Sequence, residues 1–238
     1  MIDVALTAAG VRPARVAVVI DVLRATTTIA QALAGGYERV LCTTSRDRAL
    51  ELGADGRVLA GEEGCVPPPG FDLGNSPADV ETATGRELVL ATSNGTPAIV
   101  AAARQAEVTL LGCLGNLAAL VEILREAVET EDVLLVCSGT NGRLALEDVY
   151  VAGRIVAALG GERTDAAEMT ALVAAASPDA DRILRESTNG RLLVEVGLEA
   201  DIAWCAREDT IDLVPRVASV REDVAEIAAP AAGDNPLT

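Results

Sequence analysis

Four short apolar runs, each ending in small polar residues, set the rhythm of the chain. They are 16–20 before Asp21, 88–91 before Thr92, 108–111 before Gly112 and 133–136 before Cys137. Their brevity and β-branched content predict buried, mostly parallel strands. Each is followed by a stretch with helical spacing: 26–34, 97–105, 117–129 and 146–159. Strand, polar turn and helix, repeated, predict a layered α/β/α fold around a mostly parallel or mixed sheet. After Gly161 the rhythm changes. Residues 165–176 predict a helix, Pro178 and Asp179 turn the chain into 183–186, and Asn189-Gly190 opens a further segment. Residues 202–205 and 211–214 predict two short strands joined by a polar turn at 207–210. This part forms a small α+β C-terminal portion or completes the sheet. No linker stands out, so residues 1–228 are expected to form one unit, with 229–238 as a disordered tail.

In α/β sheets, ligands bind at the carboxyl ends of the strands. Here those ends carry Asp21-Val22-Leu23-Arg24, Thr92-Ser93-Asn94-Gly95-Thr96, Gly115-Asn116 and Ser138-Gly139-Thr140-Asn141-Gly142. Small hydroxyl and amide residues beside glycine let backbone N–H groups approach an anion in front of a helix N-terminus. Any one such turn is ordinary capping chemistry; four of them point to a shared site. Residues 61–77, rich in glycine and proline, predict a long irregular loop, of a kind that is usually functional in a compact domain. The loop also holds the only phenylalanine, Phe71.

Composition narrows the chemistry. The chain has neither lysine nor histidine, so all 19 positive side chains are arginines, against 36 acids and a net charge of −17. Such a surface repels nucleic acid and anionic lipid and fits a high-salt interior. The 5 cysteines are scattered singly. With no secretory segment and no run long enough to span a membrane, a reduced cytoplasmic protein is expected. The missing residues exclude a Ser-His-Asp triad, a phosphohistidine, His-ligated zinc, a Walker loop and a Schiff base.

Hydrolysis of a phosphate ester needs positive charge at the phosphoryl oxygens. Here only arginine or a metal can supply it, and carboxylate and carbonyl donors suit magnesium. Asp21, next to a buried strand, needs compensation from Arg24 or from an ion. Glu62 and Glu63 on the long loop, and Glu147 and Asp148 at a helix start, are further candidates. Arg24 can clamp an anion bidentately; Arg143 and Arg154 are weaker candidates. Cys137 to Arg143 also matches the C-x5-R loop of cysteine-dependent phosphatases. Cys42 and Arg48 match it too, and the position after Arg143 is Leu144 rather than a hydroxyl residue.

These segments resemble the 2-phosphosulfolactate phosphatase family. The resemblance lies in 19–28 (VIDVLRATTT), in Gly61-Glu62 with 70–77 (GFDLGNSP), in 93–96 (SNGT), in 137–142 with Leu146-Glu147-Asp148 and Ala152-Gly153, and in Gly197, Asp201-Ile202, Cys205 and Val214-Pro215. It covers roughly residues 1–217. It implies a magnesium-dependent hydrolase converting 2-phospho-3-sulfolactate to 3-sulfolactate and phosphate, a step of coenzyme M biosynthesis in methanogens. The family often has a basic residue after the Gly-Glu pair; here Glu63 removes that anion contact. Strand-end logic and the resemblance together single out Asp21, Arg24, Asn75, Ser93 and Asn94 as catalytic. Thr26, Thr27, Ser76, Gly95, Thr96, Asn116, Ser138 and Gly139 would bind substrate, and Asp21, Glu62, Glu147 and Asp148 would bind Mg2+. The partner is then a small anionic molecule, and the sequence leaves room for a homo-oligomer. A non-catalytic binding protein for phosphorylated or sulfonated acids, or a phosphatase using Cys137, are the alternatives.

Overall fold

The computed structural model describes residues 1–82, 84–230 and 237. The strands are β1 (Ile2–Ala5), β2 (Ala14–Ile20), β3 (Arg39–Thr43), β4 (Val58–Gly61), β5 (Glu87–Ala91), β6 (Ala106–Gly112), β7 (Val133–Cys137), β8 (Arg216–Arg221) and β9 (Val224–Ala228). The helices are α1 (Ala25–Ala34), α2 (Arg46–Gly53), α3 (Gly95–Ala103), α4 (Leu117–Thr130), α5 (Leu146–Leu159), α6 (Asp165–Ala176), α7 (Ala180–Glu186), α8 (Thr188–Glu195) and α9 (Glu199–Cys205). All four apolar runs are strands and all four helical stretches are helices. Residues 62–77 contain no helix or strand.

Among the described residues the strands form one mixed sheet, ordered β1-β7-β2-β6-β8-β9-β3-β5-β4. β1, β7, β2 and β6 are mutually parallel, as are β3, β5 and β4. The antiparallel β8–β9 hairpin joins the two groups and carries a register shift between Val217 and Ser219. One face of the first group packs on α4, α5 and the helices that follow. Its other face shares a core with α1, α3 and the second group, contributing Val19 and Val136 against Ile29, Ile99, Val40 and Leu90. α2 covers the far side of the second group through Ala49, Leu59 and Val89. Strands buried on both faces, such as β7, are therefore apolar throughout.

In the ladder the two groups run in opposite senses. Yet Asp21 after β2 lies against Gly95 at the start of α3, after β5. Twist reconciles these facts. Interstrand rotation of roughly 20–25° per step accumulates over the five steps from β2 to β5 to more than a right angle. The carboxyl ends of β2, β4, β5 and β7 thereby meet.

Two expectations for the C-terminal portion fail. Residues 202–205 lie in α9, not in a strand. Residues 211–214 are irregular: the Ile211 N–H donates to the Gly115 carbonyl and the Leu213 carbonyl accepts from Asn116. The strands here are β8 and β9, which complete the sheet, and Ala228 closes β9. Of the expected tail 229–238, residues 231–236 and 238 lie outside the described residues.

Candidate functional site

Asp21 directly follows β2 and is 7% exposed. Its Oδ1 accepts the Ala25 N–H (3.0 Å), an orphan donor of the first turn of α1. Its Oδ2 lies 3.0 Å from the Ser138 hydroxyl, which is also 3.0 Å from Asp148 Oδ2. A hydroxyl has one proton, so Ser138 can serve only one of these carboxylates at a time. Asp148 on α5 further accepts the N–H groups of Val22 (3.0 Å) and Gly139 (3.1 Å), tying the turns after β2 and β7 together. Burial pushes the Asp21 carboxyl up to about 6, and the charges of Glu62 and Glu147 add to this. Burial, then the charges of Asp21 and Glu147, hold Asp148 well above the usual range. Glu147 is also raised by burial. Its Oε1 accepts from Asn189 (2.8 Å), while its Oε2 is buried with no partner.

Arg24 does not compensate this charge. Its guanidinium donates to Asp201 Oδ2 (2.6 Å) and to the Cys65 carbonyl (3.0 Å), with Arg24 3% and Asp201 6% exposed. Asp201 Oδ1 accepts the Ser76 hydroxyl (2.7 Å). Asp201 has a central place that the chemistry of the turns did not signal. The usable signal was helical spacing: on α9, Asp201, Ile202 and Cys205 form one buried stripe.

The long loop and the turn after β5 close the site. Glu62 accepts the N–H groups of Ser93 (2.8 Å) and Cys65 (3.0 Å), strapping the end of β4 to the end of β5. Asn94 Oδ1 accepts the Asn141 N–H (2.9 Å), linking that turn to the one after β7. A Cβ on Gly95 would lie 2.6 Å from Asp21 Oδ2, so only glycine allows this approach. Gly139 has φ +70°, and a Cβ there would meet the Arg143 carbonyl. Asn75 is buried, and its Oδ1 has no partner.

Other expected ligand contacts are spent on scaffolding. The Thr26 hydroxyl lies 2.9 Å from the Asp21 carbonyl and 2.8 Å from that of Gly112. Thr27 donates to the Val22 carbonyl and Thr96 to the Thr92 carbonyl. Asn116 donates to Leu111 and Leu213 and accepts from Cys113. Arg154 pairs with Glu208. Cys137 is fully buried, and its thiol is pushed well up by desolvation, opposite to a nucleophilic thiolate.

The donor set around Ser138 suits a hard divalent cation. Two carboxylates and a hydroxyl, all oxygen, compete for a single proton, with no cationic side chain bonded to them. Among the described residues no three His, Cys, Asp or Glu side chains converge closely enough to hold a metal alone.

Fold and site define a layered α/β enzyme with a carboxylate centre at its strand ends. The family model for 2-phosphosulpholactate phosphatase matches residues 4–219, and the chain belongs to that family. A probable 2-phosphosulfolactate phosphatase of Thermus thermophilus is 42% identical over 206 residues, 84% of this chain and 86% of the relative. One from Thermotoga maritima is 39% identical over 221 residues, covering 90% and 94%. The 2-phosphosulfolactate phosphatase of Methanothermobacter thermautotrophicus is 36% identical over 198 residues, covering 83% and 84%.

Proposed function

We propose that the protein is a magnesium-dependent phosphatase that hydrolyses 2-phospho-3-sulfolactate to 3-sulfolactate and inorganic phosphate. Family membership supports the reaction class and substrate. The observation that supports the metal is Ser138 between Asp21 and Asp148: with Arg24 committed to Asp201, only a proton or a cation can relieve the two carboxylates.

Asp21, Asp148 and Ser138 would hold the ion, with Glu62 and Glu147 contributing negative field from either side. Bound there, Mg2+ supplies positive charge against phosphoryl oxygens. The chain's own groups do the rest. The turns of Ser93–Asn94–Gly95 and Ser138–Gly139 present small side chains and backbone to the substrate's oxygens. The free Oδ1 of Asn75 is an acceptor for a hydroxyl or water proton. Asp148, whose carboxyl burial raises well above the usual range, lies within bonding distance of the Ser138 hydroxyl. A cysteine nucleophile is disfavoured by the buried, raised Cys137 thiol.

The test is phosphate release from synthetic 2-phospho-3-sulfolactate, with magnesium and with a chelator. Steady turnover with magnesium alone is expected. Turnover that survives chelation overturns the metal, and no release under either condition overturns the substrate.

A further inference from the structure

Beside the carboxylate centre lies a pocket of about 130 Å3, lined among others by Thr44, Arg46, Glu62, Phe71, Thr92 and Ser93. Glu62 and Ser93 belong to both places, so the pocket and the centre share a wall. Arg46 is the cation of this pocket. It is the first residue of α2, held by the Ser45 cap, which accepts the Arg48 N–H. One terminal nitrogen of Arg46 donates to the Pro69 carbonyl (2.8 Å), and its Nε is buried without an acceptor. Among the described residues no carboxylate lies within ion-pair distance of it, although most arginines of this acidic chain are paired. Both Glu62 oxygens are occupied by backbone N–H groups, and Glu63, on the same lining, is exposed to solvent.

Arg46 lines a cavity next to the site with no carboxylate partner among the described residues, which leaves its positive charge available to an anion. We propose that Arg46 binds the acid group of the substrate remote from phosphorus, a carboxylate or sulfonate, and so acts as a specificity residue. This rests on the phosphatase reading and extends it. Arg24, the arginine expected to clamp the substrate, has two of its donors engaged by Asp201 and Cys65. A planar fork suits either acid group, since both present paired oxygens.

Titration calorimetry with 3-sulfolactate, lactate and inorganic phosphate tests this without turnover. Arg46→Met should weaken 3-sulfolactate about tenfold or more, with phosphate changed less than about twofold. Arg46→Lys, which keeps the charge and the fold contact, should fall between. A parallel loss for lactate identifies the carboxylate as the partner; unchanged lactate identifies the sulfonate. Unchanged 3-sulfolactate binding, or an equal loss for all three ligands, overturns the proposal. If the unsubstituted protein binds 3-sulfolactate through Arg46 but releases no phosphate from the ester, the phosphatase reading fails and the binding assignment stands.

Discussion

Asp21 and Asp148 hold one serine hydroxyl between them, and the chemistry begins with which of them keeps a proton. Without a cation, an ionised Asp21 is a cost to the fold rather than a support. Asp21→Asn removes that charge and keeps the acceptor for the Ala25 N–H. In metal-free buffer near pH 8 it should stabilise the protein by about 1–3 kcal/mol, read from urea denaturation. The same variant should lower turnover at least about a hundredfold. A destabilised but active variant would remove Asp21 from the centre. Asp201 behaves in the opposite way, because its partner is a buried guanidinium. Asp201→Asn strands Arg24 and loosens Ser76, and should cost about 3–5 kcal/mol. Adding Arg24→Met to that variant should recover much of the loss, since an apolar side chain leaves no unpaired charge. A loss below about 1 kcal/mol in the single variant would mean that water, not Asp201, satisfies Arg24.

The elements legible in the sequence are those in which pattern and environment agree. The central runs of β2, β5, β6 and β7 are apolar because both faces are covered. The apolar pattern alone therefore places Asp21, Thr92 and Ser138 at strand ends. β3 and β4 escape that pattern: β3 opens with Arg39, and β4 is four residues long inside a polar stretch. β8 and β9 alternate half-buried with other positions, a weak signal for a hairpin whose partners lie far along the chain. In 202–205, four residues are too few to separate a period of 2 from one of 3.6, and the helical period won. That ambiguity leaves Asp201 visible only as part of the family resemblance and hides its pairing with Arg24. Thr26, Thr96 and Asn116 show the converse limit: a hydroxyl or amide at a strand end reads alike whether it faces a ligand or locks its own turn. α5 carries Glu147 and Asp148 to the site, and its seat depends on Gly153, where a Cβ would collide with the Thr170 carbonyl of α6. Gly153→Ala should therefore cost about 1–3 kcal/mol and lower turnover by displacing Asp148. Thermal melting and a steady-state assay check both, and a variant stable and fully active would show that α5 and α6 part without disturbing the centre.

At the scale of the whole molecule, a net charge of −17 and the buried carboxylates make two separate demands for cations. Surface repulsion is relieved by any salt, through screening. On the proposed reading, the carboxylate centre is relieved by an ion that enters it. These demands separate by pH. A buried carboxyl raised in the fold contributes stability that is present below its ordinary value and lost as pH rises through the folded one. For Asp21 that window runs from 3.8 to about 6. Metal-free protein should thus lose about 3 kcal/mol across the window from this residue, with a further loss as Asp148, likewise raised by burial, ionises. On the proposed reading magnesium binds the ionised forms, so its benefit should grow as pH rises. At a concentration about a hundred times its Kd it should add about 2.7 kcal/mol, or roughly 5–10 °C in Tm for a chain of this size. At pH 5 the shift should shrink to a small fraction of its value at pH 8, and in Asp21→Asn it should be small at both. Sodium chloride at matched ionic strength should raise Tm in the parent and the variant alike. Equal magnesium shifts at pH 5 and pH 8, or a shift that sodium chloride reproduces, would place the cation on the acidic surface and leave the carboxylates to be relieved by protons alone.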